Sequence, residues 1–240
     1  MRLGIIGAGN MAQALLIPLQ GFITKQYNDI RVFTPTKVKA TKLAAHFQAT
    51  VVNQIVELND CDAIVLAHKP QNIKEVSQRL HFSQNPMIIS MLASIEIRQI
   101  EGAFGVTRVL RLMPNTAAQV GKGVVTCFSK NSVSHEFAPW LSALASHSKL
   151  LEFSQEEMID LTTAELGSGP GIVLELVRIF SESLIRKGVE RSIAHDLTAQ
   201  VFRGSAELVS QTREDPAVLR DQVTSKGGIT EECLKLLRKQ

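Results

Sequence analysis

The chain has 240 residues, 45% of them hydrophobic and 20% charged, which excludes a mainly disordered, collagen-like or coiled-coil protein. One or two domains fit this length, with roughly 70–75% of the unfolded surface buried on folding. Lys and Arg (26) against Asp and Glu (23) leave a net charge of +3, too small and too scattered for a nucleic-acid partner but compatible with a small anionic ligand.

Residues 2–6 form a short apolar run that ends in Gly7, and a helical pattern follows from Asn10 to Gln20, with Pro18 expected to kink or end it. Comparable runs recur at 30–33, 50–52, 63–67, 87–91 and 106–112, each separated by a helix-length segment. Strands alternating with helices predict an α/β fold, a Rossmann-like doubly wound parallel sheet. A strand at 124–128, a helix at 135–146 and a strand at 150–153 extend it. The remainder reads as helices at about 155–165, 172–186, 193–211, 216–223 and 231–238. Asp215 before Pro216 is an N-cap with proline at the first helical position, and Thr230 with Glu231 and Glu232 is expected to cap the last helix. Ile193, Leu197, Val201 and Leu208 are expected to form a buried stripe, with Gly204 admitting a neighbouring helix. The domain boundary is placed near Ser154, giving 1–154 and 155–240.

Cys61, Cys127 and Cys233 show no metal-type spacing and leave one thiol unpaired, so neither a metal site nor a disulfide framework is expected, and a reducing compartment is. No apolar run reaches the ~20 residues of a membrane span. A cytoplasmic protein without a membrane partner is the expectation.

Gly7-Ala8-Gly9-Asn10-Met11-Ala12 fits G-x-G-x-x-A between a strand and a helix. Gly7 permits the tight turn, Gly9 lets backbone approach a pyrophosphate, and Ala12 lets helix and strand pack. NAD sites place an acid about 20 residues further on, at the end of the second strand. Here residues 30–56 contain no acid, and Thr34, Thr36 and Lys37 stand in that place. Hydroxyls and ammonium groups suit a 2′-phosphate, so NADPH is expected over NADH.

The segments 67–71 (AHKPQ) and 111–116 (RLMPNT) close two strands on the side where ligands bind in open α/β sheets. Leu166-Gly167-Ser168-Gly169-Pro170-Gly171 and Val223-Thr224-Ser225-Lys226-Gly227-Gly228-Ile229-Thr230 each open a helix, with N–H groups that suit a carboxylate. Taken together, GAGNMA, KPQ, RLMPNT, GSGP and VTSxGGxT resemble the pyrroline-5-carboxylate reductase family in order and spacing, from Met1 to about Leu237. The resemblance implies a Rossmann-like domain, a helical dimerisation domain, an active site completed in a homodimer or higher homo-oligomer, and NADPH-dependent reduction of 1-pyrroline-5-carboxylate to L-proline. It also implies site residues: Gly7, Gly9, Asn10, Met11 and Ala12 for the pyrophosphate; Thr34, Thr36 and Lys37 beside the 2′-phosphate; Asn53 at the adenosine ribose; and Ala67, Lys69 and Pro70 along the nicotinamide half. Ser225, Gly227, Gly228 and Thr230, with Asn115, would receive the imino acid, Thr230 orienting its ring nitrogen. His68, inside the KPQ turn, reads as a loop residue at the cofactor rim.

Several positions depart from the family pattern: Ser94 where a glycine is usual, Leu166 for serine, Arg178 for an acid, Lys226 for proline and Ile229 for threonine. These motivate two alternatives, a reductase of another cyclic imine or keto acid, and an NADP(H)-binding sensor or scaffold without turnover.

Overall fold

In a computed structural model that describes residues 1–237, the apolar runs of the first part become strands of one sheet. They are β1 (Arg2–Ile6), β2 (Asp29–Phe33), β3 (Thr50–Val51), β4 (Ala63–Leu66), β5 (Met87–Ser90), β6 (Val109–Pro114), β7 (Gly123–Ser129) and β8 (Ser148–Glu152), ordered β3-β2-β1-β4-β5-β6-β7-β8. Every neighbouring pair is parallel except β6 and β7, which are antiparallel. The sheet is the doubly wound, parallel one expected, with a single antiparallel pair, because residues 115–122 are too few for a crossover and make a short 3₁₀ turn instead.

Helices fill the connections: α1 (Asn10–Leu16) and α2 (Gln20–Gln26), divided around Pro18, then α3 (Lys37–Phe47), α4 (Ile73–Arg79), α5 (Ile97–Phe104) and α6 (Ala138–His147). With helices on both faces, the central strands are buried along their length; all four residues of β4 and of β5 are buried, as are all six of β6. One face carries a core of Leu3, Ile5, Leu15, Leu16, Val65 and Trp140, the other a core of Ile6, Ile64, Leu66, Ile88 and Ile100. The first core contains one polar pair, in which the indole N–H of Trp140 donates to the Tyr27 hydroxyl at 2.9 Å. Burial pushes that phenol up to about 12. The chain runs from β1 outward to β2 and β3, then crosses back to lay β4 on the other side of β1. The strand order therefore reverses at β1, and the crevice beyond its carboxyl end is the topological switch point where such sheets bind ligands.

The helix expected at 155–165 is interrupted: α7 (Glu157–Leu161) is followed by a π-type turn, Thr163–Gly167. The Thr162 and Thr163 hydroxyls donate back to the Met158 and Ile159 carbonyls at 2.8 and 2.6 Å, which offers the backbone an alternative to a regular helix. Compact packing divides the chain into Met1–Pro170 and the part from Gly171 onward, so this segment belongs with the sheet although the strand series ends at Glu152.

The later helices are α8 (Gly169–Arg186), α9 (Arg191–Thr212), α10 (Pro216–Gln222) and α11 (Ile229–Leu237). Asp215 caps α10 as expected, its Oδ1 accepting from the Ala217 N–H at 2.7 Å. Thr230 does not cap α11, which starts one residue before it; Arg238, the expected end, lies outside the described residues. The stripe on α9 is also corrected: Ile193, Leu197, Val201 and Leu208 are 50–57% exposed, and a Cβ at Gly204 would meet nothing within 4 Å. Apolar spacing identifies a face and leaves open what covers it.

Candidate functional site

The turn after β1 is held from both sides. Gly7 N–H donates to the Phe33 carbonyl at 2.9 Å, and Ala67 N–H to the Ile6 carbonyl at 2.8 Å. Gly7 adopts φ +103°, and a Cβ there would overlap the Ala67 carbonyl, so only glycine fits. Gly9, the N-cap of α1, has no side-chain cap, and a Cβ on it would meet no atom of the chain within 4 Å. Its smallness leaves space above the backbone rather than relieving an internal contact. Ala12 is fully buried against the sheet. Asn10 and Met11 begin α1 and stay outside the cleft lining.

The cleft at this turn has a volume of about 290 Å³. Thr34 and Thr36 line it as expected, but the lysine on this β2 side of its wall is Lys39 and not Lys37. Thr36 is the N-cap of α3, so Lys37 and Lys39 are its first and third residues, about 200° apart around the helix. The Thr36 side chain makes no capping bond, which leaves its hydroxyl available to a ligand. Asn53 is likewise replaced: it is exposed, its N–H donates to Glu57 Oε1 at 3.0 Å, and Ile55 lines the cleft instead.

On the β4 side, Ala67, His68 and Lys69 line the cleft while Pro70 starts a 3₁₀ turn outside it. The wall beyond comes from Asn72, Glu75, Val76 and Arg79, which the sequence reading missed. Their three- and four-residue spacing, directly after a strand end, was the signal available. Glu75 and Arg79 face each other at 3.6 Å. His68 Nδ1 lies 2.9 Å from the Lys69 carbonyl, and its Nε2 is buried without a hydrogen-bond partner among the described residues. Burial depresses the imidazole pKa, so the neutral ring is favoured.

Two side chains at the end of β6 serve the scaffold. Asn115, expected as a substrate ligand, is buried and engaged: Nδ2 donates to the Leu166 carbonyl at 2.8 Å, and Oδ1 accepts from Ala117 and Val124 N–H at 3.2 and 3.3 Å. Arg111 has no exposed surface and pairs with Glu156 at 3.1 Å and Asp160 at 2.6 Å. The same Glu156 oxygen accepts from the Ile97 N–H at 2.7 Å. An arginine inside the otherwise apolar run VLRLMP was the visible clue to this anchor.

In the helical unit, Ser225, Gly227, Gly228 and Thr230 come together in one turn before and within α11, as expected. Their amides are not free. Gly228 N–H donates to the Ser225 carbonyl at 2.9 Å, and Gly227 N–H to Glu231 Oε2 at 2.5 Å. Glu231 is the third residue of α11 and reaches back over its start. The Gly227 N–H, then Lys235, hold its carboxyl below the usual range. Gly227 takes φ +73°, and a Cβ on Gly228 would overlap Ser225 Oγ. Thr230 is half-buried, and its hydroxyl makes no hydrogen bond among the described residues. A polar cleft of about 310 Å³ beside this turn is lined by Ser225, Lys226 and Glu231, among others.

The chain matches two family models, one described as pyrroline-5-carboxylate reductase dimerisation over residues 156–240 and one as NADP oxidoreductase coenzyme F420-dependent over residues 2–94. It is 32% identical to the pyrroline-5-carboxylate reductase of Synechocystis, over 100% of this chain and 90% of that protein. Against the enzyme of the same name from Pseudomonas aeruginosa the identity is 34%, over 98% and 87%. Among solved structures, the Plasmodium falciparum pyrroline carboxylate reductase with NADP bound superposes with a TM-score of 0.86 at 26% identity, covering 100% of this chain and 90% of that one. The Streptococcus pyogenes 1-pyrroline-5-carboxylate reductase gives 0.86 and 26%, over 100% and 91%.

Proposed function

The chain belongs to the pyrroline-5-carboxylate reductase family, and on that premise we propose that it reduces 1-pyrroline-5-carboxylate to L-proline, with NADPH as donor. The observation that carries the cofactor assignment is the composition of the β1–β2–β4 crevice. Gly9 leaves open space over the turn, and Thr34, Thr36 and Lys39 stand where an NAD site would put an acid. NADPH, when bound, supplies the hydride.

The residues of the chain then have distinct tasks. The backbone of Gly7 to Ala12 holds the pyrophosphate, and Thr34, Thr36 and Lys39 hold the 2′-phosphate, Lys39 taking the place first given to Lys37. Ala67, Lys69 and Pro70 border the nicotinamide half. A protonated cyclic imine is already electrophilic, so orienting it toward the donor is the main requirement, and no His–carboxylate pair is needed. In the helical unit, Ser225 and the Gly227–Gly228 backbone receive the substrate carboxylate once Glu231 leaves the Gly227 N–H and the Ser225 carbonyl leaves the Gly228 N–H, and the Thr230 hydroxyl orients the ring nitrogen. Asn115 acts at one remove, by fixing the Leu166 carbonyl.

The assembly is a homodimer or larger homo-oligomer, formed through α8 and α9. Ile172, Leu174, Phe180, Leu197 and Val201 are all more than half exposed in the single chain, an apolar face of the kind that a second copy covers in a homo-oligomer. Light scattering at micromolar concentration is expected to return at least twice the chain mass. The compartment is the cytoplasm, in keeping with three free thiols, two of them buried. NADPH oxidation with pyrroline-5-carboxylate and a panel of other cyclic imines and keto acids tests the reaction. Turnover fastest with pyrroline-5-carboxylate, and L-proline as product, is expected; NADPH binding without turnover of any of them favours the sensor instead.

A further inference from the structure

We propose that Glu231 is a built-in competitor for the substrate carboxylate, holding the Gly227 N–H until a carboxylate-bearing substrate displaces it and so setting the apparent affinity of the turn. The inference rests on the substrate reading above and adds to it a residue that the VTSxGGxT pattern does not include. Glu231 is the third residue of α11, and its Oε2 accepts from the Gly227 N–H at 2.5 Å. A capping box would engage the amide of the residue just before the helix, here Gly228. Glu231 passes that amide, which donates to the Ser225 carbonyl at 2.9 Å, and takes the one before it.

The group that holds the amide is the same one the substrate brings. A single N–H bonds one carboxylate well, and two carboxylates side by side repel, so binding requires Glu231 to leave. The surroundings give it a place to go: Lys235 Nζ lies 3.6 Å from Glu231 Oε1 and 2.7 Å from Glu232 Oε1. Lys226 lines the same cleft and makes no ion pair among the described residues, while Asp221, the other acid of the lining, pairs with Arg220 at 2.7 Å. Lys226 is therefore the counter-charge open to an incoming anion. The Glu231 carboxyl, held below its usual range by the Gly227 amide and then Lys235, stays ionised and competes at neutral pH. One anion exchanges for another, whereas a cyclic imine without a carboxylate has nothing to offer the amide and leaves Glu231 in place. The turn thus selects substrates by their carboxylate.

Two substitutions separate this role from a structural one. Glu231→Ala frees the amide, and Glu231→Gln keeps an acceptor but removes the charge that strengthens the bond. Steady-state kinetics with 1-pyrroline-5-carboxylate, NADPH titration and thermal unfolding are measured on the full chain. A contact closed in about nine molecules of ten raises the apparent KM about tenfold over that of the open turn. KM is accordingly expected to fall about five- to tenfold in the Ala variant and about threefold in the Gln variant, with kcat within about twofold and NADPH affinity unchanged. A residue that only starts the helix gives the opposite split, in which Tm falls while KM holds or rises. An unchanged or raised KM in the Ala variant overturns the inference, as does a fall in KM matched by an equal fall in kcat; if the Ala variant does not fold, an unchanged KM in the Gln variant overturns it instead. Wild-type protein that does not turn over 1-pyrroline-5-carboxylate overturns the substrate reading itself, a result distinct from wild-type turnover with indifferent variants.

Discussion

The Asn115 side chain and the Leu166 carbonyl, 51 residues apart in sequence, are joined by a 2.8 Å hydrogen bond that Asn115 donates. Asn115 stands at the end of β6 and Leu166 just before Gly167-Ser168-Gly169-Pro170, so one amide ties the sheet to the turn that opens α8. Arg111, four residues earlier on the same strand, ties α7 to the sheet through Glu156 and Asp160. Asn115→Asp preserves the acceptor for the Ala117 and Val124 N–H groups and replaces the donor with an oxygen facing a carbonyl. A loss of about 1–3 kcal/mol in unfolding free energy is expected from that unsatisfied pair, measured by urea denaturation. Asn115→Asp losing nothing would return Asn115 to the role of a substrate ligand.

How much of this was legible beforehand varies with the range of the interaction. The strands and their alternation with helices are readable because β4, β5 and, apart from Arg2, β1 are buried on both faces and read as short apolar runs, with Arg2 and Ser90 at strand ends the polar exceptions. The glycine turn is readable because the position takes a positive φ with no room for a Cβ, so only glycine fits it. The partner of Asn115 was not, since nothing near Asn115 in sequence marks Leu166. Sequence does not separate Lys37 from Lys39, because the side that faces the cleft depends on where α3 begins, and a shift of the cap by one residue rotates every side chain by 100°. Periodicity marks the apolar face of α9 without naming what lies against it, so burial of that stripe is not legible from sequence.

The lysine distinction is itself testable. Lys39 lines the cleft and Lys37 does not, so Lys39→Ala should weaken NADPH binding about five- to tenfold, or ~1 kcal/mol for a solvent-accessible charged contact. NADH, which lacks the 2′-phosphate, should bind both proteins alike. Lys37→Ala is expected to change neither affinity by more than about twofold. Calorimetric dissociation constants for the three proteins with the two dinucleotides decide it, and equal losses in both lysine variants would mean only diffuse attraction.

Ser94 adopts a backbone conformation that favours glycine. It is exposed and adopts φ +57°, the left-handed region that crowds a Cβ against the following carbonyl. That conformation costs about 1–2 kcal/mol, and the greater freedom of glycine in the unfolded chain returns about 0.4–1 kcal/mol of it. Ser94→Gly is therefore expected to stabilise the protein by about 0.5–1 kcal/mol, and Ser94→Val to destabilise it by more than ~1 kcal/mol. Denaturant midpoints for both variants provide the check; a Ser94→Gly protein no more stable than the wild type would show that the serine hydroxyl offsets the strain.

Thr230 offers the sharpest separation of chemistry from stability. Had it capped α11, removing its hydroxyl would cost about 1 kcal/mol of stability. It lies instead inside the first turn, and its hydroxyl has no partner among the described residues, so Thr230→Ala should leave thermal unfolding unchanged within about 0.5 kcal/mol. If the hydroxyl orients the ring nitrogen during hydride transfer, the same substitution should lower kcat/KM at least ~10-fold, equivalent to about 1.4 kcal/mol of transition-state stabilisation. NADPH affinity should not move, because the residues assigned to the dinucleotide all belong to the sheet unit. Thr230→Ser, which keeps the hydroxyl, should recover most of the activity. Kinetics, NADPH titration and unfolding on the Ala and Ser variants give four distinguishable patterns. Unaltered kcat/KM in Thr230→Ala would remove Thr230 from the reaction and leave the turn to act through Ser225 and the Gly227–Gly228 backbone alone.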